Sequence, residues 1–175
     1  MEKNLLSIRE LEKKDIPLIA DYWYNADDAY LEGMGVEVSM MPTREQFTAR
    51  LEAQLALPYP EKQAYAVIWE YDGRPIGHSN LNPVVYGKEG AMHLHIWEPE
   101  LRKQGLGIDL VKMSLPFYFD NMKLEKVYCE PYALNPGLNK LLEKAGFTFV
   151  KEYTTKPGAI TFEQPVKRWE TNRPQ

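Results

Sequence analysis

Cysteine is almost absent from the sequence: Cys129 is the only one, so the chain cannot form an internal disulfide bond. A reducing compartment suits such a chain, and we predict a cytoplasmic protein. An excess of positive charge is missing too, because 21 Lys and Arg residues stand against 25 Asp and Glu residues, a formal net charge of −4. Nucleic-acid-binding faces are usually strongly and locally basic, whereas the basic residues here are dispersed. We therefore expect no nucleic-acid partner.

Long apolar runs and clusters of metal ligands are also missing. No stretch reaches the roughly 18 apolar residues that a membrane-spanning helix needs, and the opening MEKNLLSIRE has no signal-peptide core. With one cysteine and three histidines, the sequence offers no set of residues at the spacing of a zinc site. We therefore predict no membrane partner and no bound metal.

The composition that remains is that of a globular domain. Hydrophobic residues make up 44% and charged residues 26% of 175 residues, a balance that allows the chain to bury a core unaided. No linker, repeat or low-complexity tract divides the chain. We predict one domain over residues 1–175, with a polar tail that is frayed after about residue 169.

Apolar periodicity and turn signals predict an α+β fold. Thr43, with Gln46 three residues later, forms a capping box that starts a helix, and Asp15 is placed to cap the first helix. Asp72 followed by Gly73 is typical of a hairpin turn. The order of elements indicates a largely antiparallel sheet with one parallel step across a long central helix. The predicted strands are 5–11, 63–71, 74–84, 90–97, 124–130, 147–153 and 159–166, and the predicted helices are 14–24, a short one within 25–42, 43–57, 107–121 and 135–146.

The segment LRKQGLGIDL, residues 101–110, places two glycines between a predicted strand and the long helix. The free N–H groups at a helix start and the positive end of the helix dipole together form an anion site. Gly105 and Gly107 remove side chains that would keep a phosphate from the backbone, and Arg102 and Lys103 add positive charge. Two interpretations stay open: the turn binds phosphate, or its glycines only relieve a tight entry into the helix.

The glycine turn is followed by Asn135 and by a helix that ends at Gly146 and Phe147. Together with Arg102-x-x-Gly105-x-Gly107, these residues resemble the Gcn5-related N-acetyltransferases. In that family the glycine motif binds the pyrophosphate of acetyl-CoA, and the Asn and its helix border the pantetheine arm. The resemblance covers about residues 5–169. It implies a mixed, mainly antiparallel sheet of six to seven strands, about four flanking helices, a splayed pair of parallel strands, and acetyl-CoA as co-substrate without a metal.

A closer resemblance concerns the branch that contains siderophore hydroxylysine acetyltransferases and aminoglycoside 6′-N-acetyltransferases. That branch has a His-Leu-x-Ile strand, matched by residues 93–96, and an acidic-Pro-x-x-x-Asn segment, matched by residues 130–135. It implies transfer of an acetyl group to an amine or hydroxylamine of a small molecule, by direct attack in a ternary complex. Polyamines and protein N-termini stay open as acceptors, and the assembly is expected to be a monomer or a homodimer.

The family resemblance also places the donor. Its pantetheine lies between the splayed strands, which are expected here at residues 93–97 and 127–130. Backbone N–H groups of Ile96 or Trp97 are then expected to face the thioester oxygen. The residues expected to contact the pyrophosphate or the pantetheine are Arg102, Lys103, Gln104, Gly105, Leu106, Gly107 and Asn135.

Acetyl transfer to an amine also requires a group that accepts the amine's proton. Strand alternation puts His93, His95 and Trp97 on one face, and an imidazole is a suitable base at neutral pH. His93 matches the histidine of the siderophore branch and is the preferred base, while His95 is assigned to acceptor binding. Glu130 is a second candidate base. The alternatives are a histidine hydrogen-bonded on the sheet and a solvated carboxylate at a strand end.

Two positions depart from the family pattern. Many members have a general-acid tyrosine where this chain has Leu142, and the siderophore branch has an aspartate where this chain has Tyr132. Tyr132 is our candidate acid for the departing thiolate. Leu142 leaves open a non-catalytic CoA-binding sensor or partner module, and a purely architectural glycine turn is a third possibility.

The acceptor is expected to contact the loop between the first two helices. That loop has acidic and aromatic residues, which suit a cationic amine. The alternative is that the acids are solvated residues at a helix start. The residues concerned are Asp27, Asp28, Tyr30 and Glu32.

Overall fold

A computed structural model describes residues 2–175, whose strands form one seven-stranded mixed sheet. In chain order the strands are β1 (Leu6–Glu10), β2 (Tyr65–Tyr71), β3 (Arg74–Val85), β4 (Glu89–Ile96), β5 (Lys126–Cys129), β6 (Thr148–Thr155) and β7 (Gln164–Asn172). Their spatial order is β1-β2-β3-β4-β5-β7-β6. Only the β4–β5 pair is parallel, which confirms the predicted mixed sheet with one parallel step.

Five α-helices cover the two faces of this sheet. They are α1 (Ile16–Tyr24), α2 (Asp28–Gly33), α3 (Arg44–Ala56), α4 (Leu106–Asn121) and α5 (Pro136–Lys144). Within residues 2–175, no helix is both long and apolar enough to cross a membrane.

Strand alternation divides the apolar residues between two cores, as β2 illustrates. Val67 and Trp69 face the larger core under α4 and α5, where Trp69 Nε1 donates to Ser114 Oγ at 2.9 Å. Ile68 points to the opposite face and packs with Ile16 of α1 in the smaller core. Each of these buried side chains contributes about 1.5–3 kcal/mol to the free energy of unfolding. The two-residue period of β2 therefore fixes which helices lie on which face.

The two helix starts that carry cap signals behave differently. The capping box of α3 is confirmed, because Gln46 N donates to Thr43 Oγ1 at 3.2 Å and Thr43 N donates to Gln46 Oε1 at 3.0 Å. The prediction that Asp15 caps α1 is wrong. Its carboxylate instead accepts from Glu12 N at 2.8 Å and from the Arg9 guanidinium, because a short 3-10 turn precedes the helix.

The last strand lies further along the chain than predicted. β7 begins at Gln164 rather than at residue 159, and its pairing with β5 continues to Asn172. Arg173 N also donates to Glu125 O at 2.8 Å, so residues 170–173 are not frayed. The later part of the strand escaped prediction because one of its faces carries charges, with Arg168 and Glu170 in place of apolar residues.

The parallel pair separates after three residue pairs. β4 and β5 are in register at Glu89–Lys126, Gly90–Val127 and Ala91–Tyr128. Beyond Ala91, β4 continues beside β3 up to Ile96, while β5 stays beside β7. The predicted splay is confirmed, and it opens one residue beyond the last parallel pair.

Candidate active site

A cleft of about 590 Å³ occupies the splay between β4 and β5. The start of α4 and one side of α5 form one end, and α1, α2 and the loop before β7 form the other. Among the residues that the structure describes, Trp97, Gln104, Asp27, Asp28 and Glu32 lie outside its walls. The predicted site residues that line it are Tyr30, His93, His95, Ile96, Arg102, Lys103, Gly105, Leu106, Gly107, Glu130, Tyr132 and Asn135.

The glycine turn forms the start of α4. Gly105 is the N-terminal cap residue in the left-handed region, with φ 76° and ψ 7°, and it offers no side-chain cap. The N–H groups of the first helical turn therefore lack intrahelical acceptors and are available to an anion. Gly107 has a second role, because a Cβ there would lie 2.6 Å from Leu141 Cδ1 of α5. The two glycines thus serve the backbone conformation and the approach of α5.

Two lysines that the sequence interpretation missed add charge at this end of the cleft. Lys140 and Lys144 are exposed, lie one turn apart on α5, and line the cleft together with Lys103. Their i, i+4 spacing on one helix face was a usable signal, but nothing local showed that α5 packs beside the glycine turn. The side chain of Gln104 points elsewhere, with Nε2 donating to Glu100 O at 3.1 Å, which leaves it only a backbone role.

The β4 backbone presents Ile96, but not Trp97, to the open side of the splay. Trp97 N donates to Ile76 O at 2.9 Å, so the prediction that its N–H faces the cleft is wrong. Residues of an antiparallel strand alternate in the direction of their backbone groups, so Ile96 points its N–H and C=O away from β3. The Ile96 carbonyl confirms this direction, because it accepts from Arg102 Nε at 2.9 Å.

Arg102 lies along the end of β4. Besides its bond to Ile96 O, the guanidinium donates through Nη2 to Trp97 O at 3.1 Å. It also stacks over the ring of Tyr30, with 4.5 Å between the guanidinium carbon and the ring centroid. The side chain expected at the pyrophosphate is therefore held between β4 and α2 in this structure.

One ring nitrogen of His93 is hydrogen-bonded, and the other has no hydrogen-bond partner among the described residues. Its Nε2 lies 2.8 Å from Asn82 O, and because a carbonyl only accepts, Nε2 carries the hydrogen. The neutral ring therefore has its lone pair on Nδ1. Burial lowers the pKa of His93, opposed by the hydrogen bond to Asn82 and by the charge of Glu130. The ring is consequently neutral at pH 7, the state that a base requires.

His95, two residues on, belongs to an aromatic cluster. It stacks on His78 with ring centroids 4.9 Å apart, and its Nδ1 lies 3.0 Å from Tyr22 Oη, which lies 3.1 Å from Tyr30 Oη. Burial is the largest cause of the strongly lowered pKa of His95. Tyr22 was missed from the sequence, although its position three residues after Ile19 places it on the buried face of α1.

His78 of β3 packs against this cluster through its stacking contact with His95. It is 3% exposed, accepts from Trp97 Nε1 at 2.8 Å on its Nδ1, and burial lowers its pKa to about 3. A buried, neutral imidazole that accepts this hydrogen bond has a structural role. Trp97 likewise belongs to the smaller core rather than to the cleft.

Glu130 is ion-paired in the cleft wall. Arg168 Nη1 donates to Glu130 Oε1 at 3.2 Å, and the two side chains are only 15% and 14% exposed. Arg168 is itself fixed, since it donates to Glu170 Oε1 at 2.8 Å and stacks 3.8 Å above the Tyr128 ring. The alternative of a solvated carboxylate is therefore wrong, because the Glu130 carboxylate is paired with Arg168 in the cleft wall.

The segment after β5 is shaped by backbone bonds. Tyr132 forms an isolated bridge with Val166 and is half-buried at the cleft wall. Asn135 Oδ1 accepts from Leu138 N at 3.1 Å, so this side chain caps α5 while bordering the cleft. Leu142 is fully buried in the larger core. The position of the usual tyrosine is therefore used for packing here.

The acidic residues of the α1–α2 loop, predicted to contact the acceptor, do not line the cleft. Asp27 Oδ1 accepts from Tyr30 N at 2.7 Å and caps α2, and Asp28 and Glu32 are exposed on that helix. Within residues 2–175, Tyr30 alone of the four predicted acceptor residues in this loop lines the cleft. Helix capping, the plainer alternative, accounts for Asp27.

A long-range contact completes the acceptor end. Gln164, 3% exposed at the start of β7, donates from Nε2 to Gly35 O at 3.3 Å and to Phe162 O at 3.2 Å. Glu37 N donates to Ile160 O at 2.7 Å beside it. These bonds hold the loop before β7 against the segment after α2. Gln164 could not be predicted as a site residue, because its partner Gly35 is 129 residues away.

Comparison with known proteins assigns the family. A family model described as an acetyltransferase (GNAT) domain matches residues 6–148, which is most of the chain. The chain therefore belongs to the GNAT acetyltransferases. It is an N-acetyltransferase whose co-substrate is acetyl-CoA. No three His, Cys, Asp or Glu side chains within residues 2–175 group as a metal site.

Solved structures with the same fold include spermidine N-acetyltransferase from Vibrio cholerae in complex with CoA and spermine. That structure has a TM-score of 0.76 and 19% identity, covering 97% of this chain and 96% of that chain. A dodecameric structure of the Vibrio cholerae enzyme gives a TM-score of 0.72 and 19% identity, covering 97% of this chain and 94% of that chain. At these identities the likeness shows the fold.

Proposed function

We propose that this enzyme transfers the acetyl group of acetyl-CoA to an amine or hydroxylamine of a small molecule, by direct attack with both substrates in the cleft. One observation carries the proposal: a single cleft joins the glycine turn, the splay of β4 and β5, and the unengaged Nδ1 of His93. A diphosphate, a thioester and an amine would therefore meet in one continuous space.

The donor would extend from the start of α4 into the splay. Backbone N–H groups of the first turn of α4, reached across Gly105, would bind the pyrophosphate, with Lys103, Lys140 and Lys144 adding positive charge. The unpaired edge of β4 would bind the pantetheine arm as an added strand does. The N–H of Ile96 would then face the thioester oxygen and stabilise the negative charge that develops there.

In the proposed chemical step, residues of this chain accept the proton of the amine and protonate the leaving thiolate. His93 Nδ1 accepts the proton of the attacking nitrogen as the N–C bond forms. The C–S bond then breaks, and the Tyr132 hydroxyl gives its proton to the departing thiolate. Glu130 acts through its charge, which opposes the lowering of the His93 pKa. Tyr30 and His95 form the wall against which the acceptor rests.

The branch resemblance supports a hydroxylamine or an aminoglycoside as acceptor within this proposal. A hydroxylamine is much less basic than an alkylamine, so it reaches the cleft uncharged and suits a base with a lowered pKa. We also propose a cytoplasmic enzyme that acts as a monomer or a homodimer, on the grounds of the single cysteine and one self-contained cleft.

A paired calorimetric experiment tests the donor site. Gly105→Ala puts a Cβ on a residue at φ +76°, and Gly87→Ala does the same at φ +75° in the β3–β4 hairpin, both in open space. Each change costs about 1–2 kcal/mol of backbone strain, so they are matched in stability. We expect acetyl-CoA to bind at least tenfold more weakly to Gly105→Ala and unchanged to Gly87→Ala.

A thiol-release assay over a panel of amines and hydroxylamines tests turnover. We expect CoA release that depends on the acceptor. Native protein that binds acetyl-CoA yet releases no thiol with any acceptor would contradict the proposed function and favour a sensor. Equal acetyl-CoA affinity in both glycine variants would remove the turn from the donor site.

A further inference from the structure

A single carboxylate lines the cleft. Within residues 2–175, Glu130 is the only acidic side chain in the cleft walls, and His93 and His95 are imidazoles whose pKa values burial lowers. The cations in the walls belong to the glycine turn and to α5, where the phosphates of the donor are proposed to bind. An ammonium group is recognised by a carboxylate or by a negative potential, so Glu130 decides whether this cleft can accept one.

Arg168 compensates the charge of Glu130 from outside the cleft. Its Nη1 donates to Glu130 Oε1 at 3.2 Å, and the two side chains are only 15% and 14% exposed. Arg168 lies on β7 and is not among the residues of the cleft walls. The pair as a whole carries no net charge, so a cationic acceptor gains little by approaching it.

The guanidinium of Arg168 is held by further contacts. Its Nε donates to Glu170 Oε1 at 2.8 Å, and its central carbon lies 3.8 Å from the centroid of the Tyr128 ring. A planar guanidinium that bonds two carboxylates and stacks on an aromatic ring has little freedom to turn away. The pair with Glu130 is therefore a fixed part of the cleft wall.

The other ionisable groups around this pair leave the balance inside the cleft unchanged. Lys126 Nζ lies 3.0 Å from Glu170 Oε2, which completes a second ion pair. Glu89, the first residue of β4, lies 3.9 Å from Arg168 Nη2 and outside the cleft walls. Burial raises the pKa of Tyr153 on β6, so its hydroxyl is uncharged at neutral pH. The cleft therefore offers an ammonium group no carboxylate that lacks a cationic partner.

We propose that Arg168 determines the class of acceptor: by compensating Glu130, it makes the enzyme select amines that are uncharged at neutral pH, such as hydroxylamines and arylamines, over alkylammonium ions and polyamines. This inference rests on the proposed function and assigns its specificity to a residue outside the cleft. An alkylamine ionises near the lysine side chain, so roughly one molecule in a few hundred is uncharged at pH 8. A hydroxylamine is uncharged there and reaches the base without first losing a proton.

Matched acceptor pairs on the native protein provide the first arm. O-benzylhydroxylamine and 2-phenylethylamine differ only by an oxygen in place of a methylene, and methoxyamine with ethylamine gives the same comparison without the ring. With thiol release at pH 8 as the readout, corrected for the reaction without enzyme, we expect kcat/KM for the hydroxylamine to be roughly 10- to 100-fold higher.

The pH dependence of the same pair provides an independent readout. Between pH 7 and pH 9, kcat/KM for the alkylamine should rise roughly tenfold per pH unit, because only its uncharged form is productive. The value for the hydroxylamine should stay level over this range. An alkylamine profile that is also level would show that the ammonium form binds, and would contradict the inference.

Variants of Arg168 provide the second arm. Arg168→Met removes the charge at nearly constant length and leaves Glu130 uncompensated in the cleft wall. We expect 2-phenylethylamine to become at least roughly fivefold better as an acceptor, with the preference reduced accordingly. Arg168→Lys retains the charge and should keep most of the native preference. Arg168→Met combined with Glu130→Gln should restore the preference, because no carboxylate is left to attract an ammonium group.

Arg44→Met is the matched control. It removes the arginine of another ion pair, with Asp21 at 2.6 Å, outside the cleft walls. The preference within the pair should stay at the native value. Calorimetry should give both single variants of Arg168 the acetyl-CoA affinity of the native protein, which also shows that they are folded.

Three further results would overturn the inference. A higher kcat/KM for the alkylamine of the pair, or for spermidine, removes the uncharged class of acceptor while leaving the acetyltransferase proposal intact, and this measurement needs no variant. A native preference in Arg168→Met that binds acetyl-CoA normally removes the arginine from acceptor selection. Acetyl-CoA binding without thiol release from any acceptor removes the proposed function and the inference together.

Discussion

At the scale of single residues, partners decide roles that sequence position leaves open. His93 and His95 lie on one face of one strand, two residues apart, yet one contacts a backbone carbonyl and the other a phenol. The carbonyl of Asn82 fixes the hydrogen of His93 on Nε2, whereas the Tyr22 hydroxyl can donate to His95 or accept from it. Only His93 therefore has a ring nitrogen that is committed to accepting a proton.

The pH dependence of turnover follows from this difference. A base must be neutral to act, and burial lowers the pKa of His93 below the ordinary 6.5. With a saturating hydroxylamine acceptor, we expect kcat to be level through neutral pH and to fall only as the pH drops below that ordinary value. His93→Gln should lower kcat roughly 10²- to 10⁴-fold and abolish this acidic limb.

His95→Gln is the matched control for this measurement, since it changes the neighbouring histidine on the same face. Its pH–rate profile should keep the acidic limb even if the acceptor KM changes. An acidic limb that survives in His93→Gln and disappears in His95→Gln would transfer the role of base to His95.

The role of a residue could be predicted where it depends on neighbouring sequence, and could not where it depends on a partner distant in the chain. The glycines at 105 and 107 sit in a strand–turn–helix context that is readable within ten residues. Arg102 has a similar local pattern, but its side chain follows the carbonyls of β4 and the ring of Tyr30. Charge complementarity suggested Asp27 for the acceptor, whereas the nearby N–H of Tyr30 engages it as a helix cap.

At the scale of elements, strands rich in apolar residues were predictable to within a few residues, and the polar strand was not. β2 is an almost continuous apolar run, and β2 and β4 begin and end within two residues of their predicted bounds. β7 replaces apolar residues on one face with Arg168 and Glu170, which pair with each other, and Glu170 also pairs with Lys126 of β5. A strand stabilised by cross-strand ion pairs has no apolar period to detect, so its predicted bounds were wrong.

One ion-pair cluster joins three elements and should make stability depend on pH. Arg9 of β1 bonds both oxygens of Asp15, just before α1, and also Glu70 of β2 at 2.7 Å. Burial raises the pKa of Asp15, but bonds from Arg9 and from the Glu12 backbone outweigh it, and the net shift is below the ordinary 3.8. The stabilisation is therefore present above the ordinary pKa and lost as the pH falls through the lowered one.

Asp15→Asn tests this cluster by urea unfolding at pH 7 and pH 3. Because it breaks a buried pair and leaves Arg9 short of a partner, we expect a loss of roughly 3 kcal/mol at pH 7 and a smaller loss at pH 3, below the ordinary pKa of Asp15. Asp21→Asn, which removes an exposed partner of Arg44, should cost less than about 1 kcal/mol. Equal losses for Asp15→Asn at both pH values would show that its charge is not the stabilising feature.

At the scale of the whole molecule, the cleft lies where β4 and β5 separate within the seven-stranded sheet. The α+β class and the parallel step were predictable, because connection lengths and periodicity determine which strands can pair in parallel, whereas the splay was implied only by the family resemblance. The acceptor end was not, because it is assembled from α1, α2 and the loop before β7, which meet only in three dimensions. Gln164 against Gly35 is the clearest example.

A donor that binds only the folded chain should raise the melting temperature of the entire molecule. At about 100 times its Kd, acetyl-CoA contributes roughly 2.7 kcal/mol, which is about 5–10 °C for a chain of this size. Differential scanning calorimetry should show this rise. N-acetylcysteamine acetyl thioester, which lacks the nucleotide and the pyrophosphate, should produce almost none at the same concentration, and an equal rise would place the affinity outside the glycine turn.

The place of β7 between β5 and β6 has a consequence for biosynthesis. The four strands β1–β4 follow one another in both chain and space, so a ribosome delivers them in pairing order. β5 and β6 instead both pair with residues 164–172, which are synthesised after them and must insert between them. A nascent chain therefore emerges with β1–β4 able to pair and with the cleft open on the side of β5. The sheet that carries the cleft is complete only when β7 has inserted between β5 and β6.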